Sequence, residues 1–156
     1  MSTYSATISW SRQEGEKFTN NRYSRAHSWK FDGGETINAS SSPQVVPLPY
    51  SDESAVDPEE AFIASLSSCH MLWFLSIVAK RGFVVEAYED EVEGIMEKNA
   101  EGKLAMTEVT LHPKVTYAEE HQPTEQRNDE MHHEAHEVCF IANSVKTKIS
   151  IKSVMK

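Results

Sequence analysis

Two cysteines are all that this chain of 156 residues contains. That is too few to staple a small scaffold, and a chain of this length can bury a core without staples. So sparse a pair is expected to be catalytic, redox-active or metal-binding. Basic residues are also scarce, 15 Lys and Arg against 24 Asp and Glu, for a formal net charge of -9. That balance argues against nucleic acid or an anionic membrane as a partner, since both select clustered positive charge. The opening residues, MSTYSATISW, lack the basic start and apolar run of a signal peptide. The longest apolar run, Met71 to Ala79, is too short to span a bilayer. The expectation is a cytoplasmic protein with no membrane partner. There is no internal repeat and no low-complexity tract, and residues 1–156 are read as a single domain.

What the chain does have is one stretch marked at both ends, from Asp57 to Gly82. Asp57 is a good N-cap, Pro58 suits the first helical position, and Glu60 completes a capping box. Lys80 and Arg81 oppose the negative end of the helix dipole, and Gly82 can supply the left-handed stop. The interval holds no internal Gly or Pro, which predicts a helix roughly 36 Å long at 1.5 Å per residue. Phe62, Leu66, Trp73, Phe74, Ile77 and Val78 spread apolar residues over several faces, so it is expected to be buried on most sides. Cys69 sits at its middle.

Around this helix, Tyr4–Trp10 alternates as a strand does. His27, Trp29 and Phe31 form a second strand that turns at Asp32-Gly33-Gly34 and returns through Thr36–Ala39. Ser40–Val56, with three prolines, reads as a loop. Phe83–Gly94 and Lys103–Tyr117 read as two strands joined at Asn99–Gly102, with Pro113 suggesting an edge or a bulge. The acidic segment Ala118–Asn128 reads as a loop, a second helix is expected over about 129–142, and Val145–Val154 alternates as a last strand. The order gives an α+β fold with largely antiparallel sheet.

Both cysteines fall in predicted helices, and the plainest reading is two buried thiols acting as small hydrophobes. A sharper one rests on resemblance. Asp57-Pro58-Glu59-Glu60, nine residues between Glu59 and Cys69, and a second cysteine in Ala135-His136-Glu137-Val138-Cys139-Phe140-Ile141-Ala142-Asn143-Ser144 resemble the OsmC/Ohr family of thiol peroxidases. The resemblance covers nearly the whole chain in element order. It implies antiparallel sheets packed on a long central helix and an intertwined homodimer. It also implies a reaction in which Cys69 attacks an organic hydroperoxide and becomes a sulfenic acid. Cys139 then condenses with it to a disulfide, and a dithiol reductant, lipoyl-type or another thiol, regenerates the pair. No cofactor is called for. The residue types suit this chemistry, because attack requires thiolate and a sulfenic acid needs a nearby thiol to escape over-oxidation.

By the same resemblance an N-terminal arginine stabilises the thiolate and the Glu at the helix start orients it. Glu59 matches that Glu. Arg25 is favoured over Arg22 as the arginine, because it is read as sharing a strand face with His27 and leads into Trp29-Lys30-Phe31. Trp73, Phe74, Met71 and Phe140 are expected to wall the substrate pocket. Ten residues of helix put Glu59 and Cys69 about 15 Å apart, so a site using both is most simply shared across a dimer. Two features depart from the family pattern: Cys69 is followed by His70-Met71-Leu72-Trp73, and Cys139 by Phe140 where many members have proline. His70, about 100° round the helix from Cys69, is expected to pack or to hydrogen-bond to the sheet. Two rival readings use other chemistry. His132, His136 and Cys139 lie on one helical stripe and could hold zinc, although with His133 and several acids nearby a solvated surface is the plainer reading. A non-catalytic small-molecule binding module would keep the fold without thiol turnover.

Overall fold

The computed structural model describes residues 1–156. They form two compact units, Met1–Ala61 and Phe62–Lys156. In the first, β1 (Ala6–Ser9), β2 (His27–Phe31) and β3 (Thr36–Ala39) form an antiparallel sheet in that order. Trp29 sits opposite Ile8 on one side and Ile37 on the other. The expected turn closes with Gly34 at φ +96°, its N–H donating to the Phe31 carbonyl at 3.0 Å. The proline-rich loop follows as anticipated and ends in a parallel bridge from Val56 to Ala39. Then α1 (Pro58–Lys80) begins. Its cap is the reciprocal box expected from the sequence: Glu60 N–H donates to Asp57 Oδ1 at 2.8 Å, and Asp57 N–H to Glu60 Oε2 at 3.2 Å. Gly82 ends it at φ +81°, in the left-handed region that only glycine occupies without strain.

The second unit is built on the rest of that helix. Leu66, His70, Phe74 and Val78 are its buried residues, spaced by four so that they fall on one stripe. The helix is therefore not buried on most sides by this chain: Leu72 stays 62% exposed. Taken whole, its 23 residues are long and apolar enough to cross a bilayer, which the run Met71 to Ala79 did not reveal. In this fold its inward stripe packs the core instead.

The two strands expected after the helix are four: β4 (Val85–Asp90), β5 (Glu93–Lys98), β6 (Leu104–Leu111) and β7 (Pro113–Tyr117). The long hairpin breaks at one level, after Asp90 on one arm and at His112 on the other. There Asp90 Oδ1 accepts the His112 N–H at 2.6 Å, and the halves join different sheets. Pro113 opens β7, a position where a missing donor costs least. The expected last strand also divides, into β8 (Lys148–Ile151) and β9 (Val154–Met155). One sheet runs β4-β7-β9 and the other β5-β6-β8; the hairpin pairs are antiparallel, while β9 on β7 and β8 on β6 are parallel. Phe74 and Val78 pack with Val115, Tyr117, Met131 and Ala135, and Leu66 with Val109 and Leu111.

The second helix, α2, covers Glu125–Val138 rather than 129–142. Thr124 caps it, accepting the Arg127 N–H at 3.2 Å. The sequence concealed this because two of the four residues it buries are polar, Asn128 and His132 beside Met131 and Ala135. Asn128 is satisfied inside by the Tyr117 hydroxyl, which donates at 2.8 Å.

Candidate active site

The shift of α2 moves Cys139 out of the helix. It becomes the residue that ends it, extended at φ −65° and ψ 114°. Cys139 is almost wholly buried (1% exposed), whereas Cys69, mid-way along α1, is half-buried. Cys69 lies near enough to Cys139 to perturb its thiol, and the two are not joined by a disulfide. Burial pushes the Cys139 thiol up to about 11, helped by the hydrogen bond and charge of Cys69; the Ala142 and Ile141 N–H groups oppose this. The Ala142 N–H lies 3.5 Å from Cys139 Sγ. At neutral pH Cys139 therefore stays protonated and is a poor nucleophile.

Of the expected pocket walls, Trp73 and Phe140 meet edge to face with ring centroids 5.2 Å apart. Phe140 is 67% exposed and Met71 is half-buried. Phe74 is not a pocket wall. It is fully buried, with the His132 ring stacked 3.8 Å from its own.

Arg22, Arg25 and Glu59 belong to the first unit. Arg25 lies just ahead of β2, not in it. Its guanidinium sits 3.7 Å over the Tyr23 ring and donates to the Asn21 and Tyr23 carbonyls. Arg22 is exposed. Glu59 Oε2 is buried with no partner, and no ion pair joins Glu59 to Arg25.

His70 packs, fully buried and stacked with Phe74 and His132, rather than hydrogen-bonding to the sheet. Its Nε2 lies 2.9 Å from His132 Nδ1, with the rings nearly parallel. No three His, Cys, Asp or Glu side chains converge on a metal position, so His132, His136 and Cys139 do not form the zinc set the sequence allowed. Burial is the main cause holding His70 down to about 4 and His132 to about 3; His136 adds to the first and His70 to the second. Both are neutral at physiological pH. Sequence reasoning missed this pair, which is 62 residues apart and carries no local signal. Asp90 was missed too: besides His112 it accepts the Ser67 hydroxyl. Close by in sequence, burial and the Asp90 charge raise the Tyr88 phenol above its ordinary range.

A long helix with a thiol at its middle, laid against mixed sheets and met by a second thiol at a helix end, defines an α+β protein with a paired-thiol centre. The chain belongs to the OsmC-like family, whose model, described as OsmC-like protein, matches residues 51–154. An OsmC-like protein of unknown function from Vibrio cholerae O1 biovar eltor is 55% identical, over 99% of this chain and 100% of that one, with a TM-score of 0.97. An organic hydroperoxide resistance protein from Elizabethkingia anophelis is 16% identical over 100% and 96% of the two chains, at a TM-score of 0.71. An organic hydroperoxide resistance protein OsmC from Legionella pneumophila is 15% identical over 100% and 99%, at 0.67. These last two share the fold. No curated protein matches the sequence.

Proposed function

We propose that this protein is a two-cysteine peroxidase that reduces organic hydroperoxides. The observation that carries the reading is the proximity of the two thiols, near enough for Cys69 to perturb Cys139, one half-buried and one held protonated. The hydroperoxide resistance proteins of the same fold support the substrate class. The Cys69 thiolate attacks the distal oxygen of ROOH, the O–O bond breaks, and the alkoxide takes a proton to leave as ROH. Cys69 is now a sulfenic acid. The Cys139 sulfur displaces its hydroxyl, which leaves as water with the Cys139 proton, and a disulfide forms. A dithiol, lipoyl-type or other, returns two electrons and two protons.

In this reading Arg25, or Arg22 in its place, stabilises the Cys69 thiolate, and Glu59 orients that arginine. The unpartnered Glu59 oxygen supports a cationic partner, since leaving a buried carboxylate oxygen unmade costs about 1–3 kcal/mol. Trp73, Phe140 and Met71 offer the hydroperoxide's alkyl part an apolar wall. Two copies form a homodimer, supported by the apolar α1 side chain Leu72, 62% exposed in one chain, and a monomer by light scattering at micromolar concentration would remove that part.

The test is intact mass with thiol counting, before and after one equivalent of cumene hydroperoxide. The expected product has lost two hydrogens and both titratable thiols. Two thiols left unreacted would overturn the reading.

A further inference from the structure

A cavity of about 560 Å³ lies against α2 and the strand β8, large enough for a small organic molecule. Asp129, His132, His133 and His136 line it from one stripe of α2, and Lys152 and Ser153 from the link between β8 and β9. His132 is 2% exposed; its Nδ1 is engaged by His70, and its Nε2 is buried with no partner. Nothing in the peroxidase chemistry uses that nitrogen. A neutral imidazole has one donor and one acceptor nitrogen, so with Nδ1 engaged Nε2 is the atom left without a partner, and an unmet buried polar atom of this kind costs about 1–3 kcal/mol.

We propose that this cavity binds a small oxyanion carried on a short aliphatic group, with His132 Nε2–H as the buried donor. The charges around it select that class. Asp129 is already engaged, accepting the Ser153 hydroxyl at 2.7 Å. His133 lies 3.9 Å from Glu137. Lys152 has no acidic partner, so its ammonium and the His136 ring remain as donors, while Ile149 and Ile151 give the aliphatic group an apolar floor. The ligand also selects a tautomer. For Nε2 of His132 to donate, its Nδ1 must accept, so His70 Nε2 must carry the proton and His70 Nδ1 must be bare. Binding at the cavity thereby fixes the state of a side chain that directly follows Cys69.

The test uses the Cys69→Ser protein with ¹⁵N-labelled histidine, so that binding is read apart from thiol chemistry. Pentanoate and n-butyl phosphate are the probes, with inorganic phosphate as the ligand lacking the aliphatic group. Saturable shifts of the His132 and His70 ring nitrogens toward one tautomer pair are expected, with a Kd on the order of 1 mM for ligands this small. Response to pentanoate alone assigns a carboxylate, and to butyl phosphate alone a phosphate ester. Lys152→Ala, at an exposed position, is expected to weaken binding about tenfold through loss of a charge-assisted hydrogen bond. No saturable change in the His132 ring with either aliphatic probe to about 50 mM, or affinity unaltered by Lys152→Ala, overturns the proposal. Equal binding of inorganic phosphate marks an adventitious ion only and overturns it as well.

Discussion

Cys69→Ser is expected to abolish hydroperoxide consumption, a loss of at least about a thousandfold, while the protein stays folded. The exchange trades one sulfur for oxygen at a half-buried position, so packing changes little. A serine hydroxyl has neither the acidity nor the nucleophilicity to open an O–O bond. Cys139 cannot take over, because burial holds it protonated, up to about 11. Cys139→Ser should behave differently. Cys69 still reacts once, no disulfide forms, and intact mass shows one and then two added oxygens on Cys69 as the sulfenic acid over-oxidises. Arg25→Ala, scored by the iodoacetamide alkylation rate of Cys69 near neutral pH, is expected to slow it about tenfold. A fall in Arg22→Ala instead would move the role to that residue. Consumption of hydroperoxide by Cys69→Ser at the unaltered rate would remove Cys69 from the chemistry.

Sequence reading succeeded where local chemistry decides. The capping box at Asp57 and Glu60, the left-handed Gly82 and the Gly34 turn are short-range devices whose residues are contiguous, and each formed as read. The α+β order came from the alternation of the strands and the length of α1, and the family resemblance from the Asp57–Glu60, Cys69 and Cys139 segments. Failure came where a residue's partner is distant. The arms of the long hairpin look continuous until Asp90, on one arm, binds the His112 N–H of the other and both change sheet. The start of α2 was lost because its inward stripe uses Asn128 and His132, whose acceptability inside depends on Tyr117 and His70. For the same reason His132 looked like a solvated or zinc-binding residue on a polar helix. Phe74 looked like a substrate wall because a helix apolar on several faces does not declare which face turns inward. The nearness of Cys69 and Cys139, 70 residues apart, is tertiary, and neither local pattern contains it.

The buried imidazole pair makes the fold sensitive to acid, and the window can be set from its two shifts. In the unfolded chain each histidine takes a proton near 6.5; in the folded one burial holds His70 to about 4 and His132 to about 3. Above the unfolded value neither state binds the proton and the pair contributes no pH dependence. As pH falls below it, the unfolded chain gains two protons that the folded one refuses, so stability declines until the folded values are reached. At about 1.4 kcal/mol per proton and pH unit, the slope approaches roughly 2.7 kcal/mol per unit between about pH 6 and 4.5. Two units of that slope rival the lower end of a whole domain's stability, about 5 kcal/mol. The acidic groups held low, Asp52 and Glu130, lie at the surface and titrate below this window, where exposed charges contribute little. Urea midpoints measured at fixed ionic strength should therefore fall steeply from about pH 6.5 to 4.5. A His70→Leu, His132→Phe double variant removes both polar partners together, which leaves no orphaned nitrogen, and its midpoints should run flatter through the same interval. If the double variant keeps the wild-type slope, protons enter the unfolding transition elsewhere and the buried pair does not govern it.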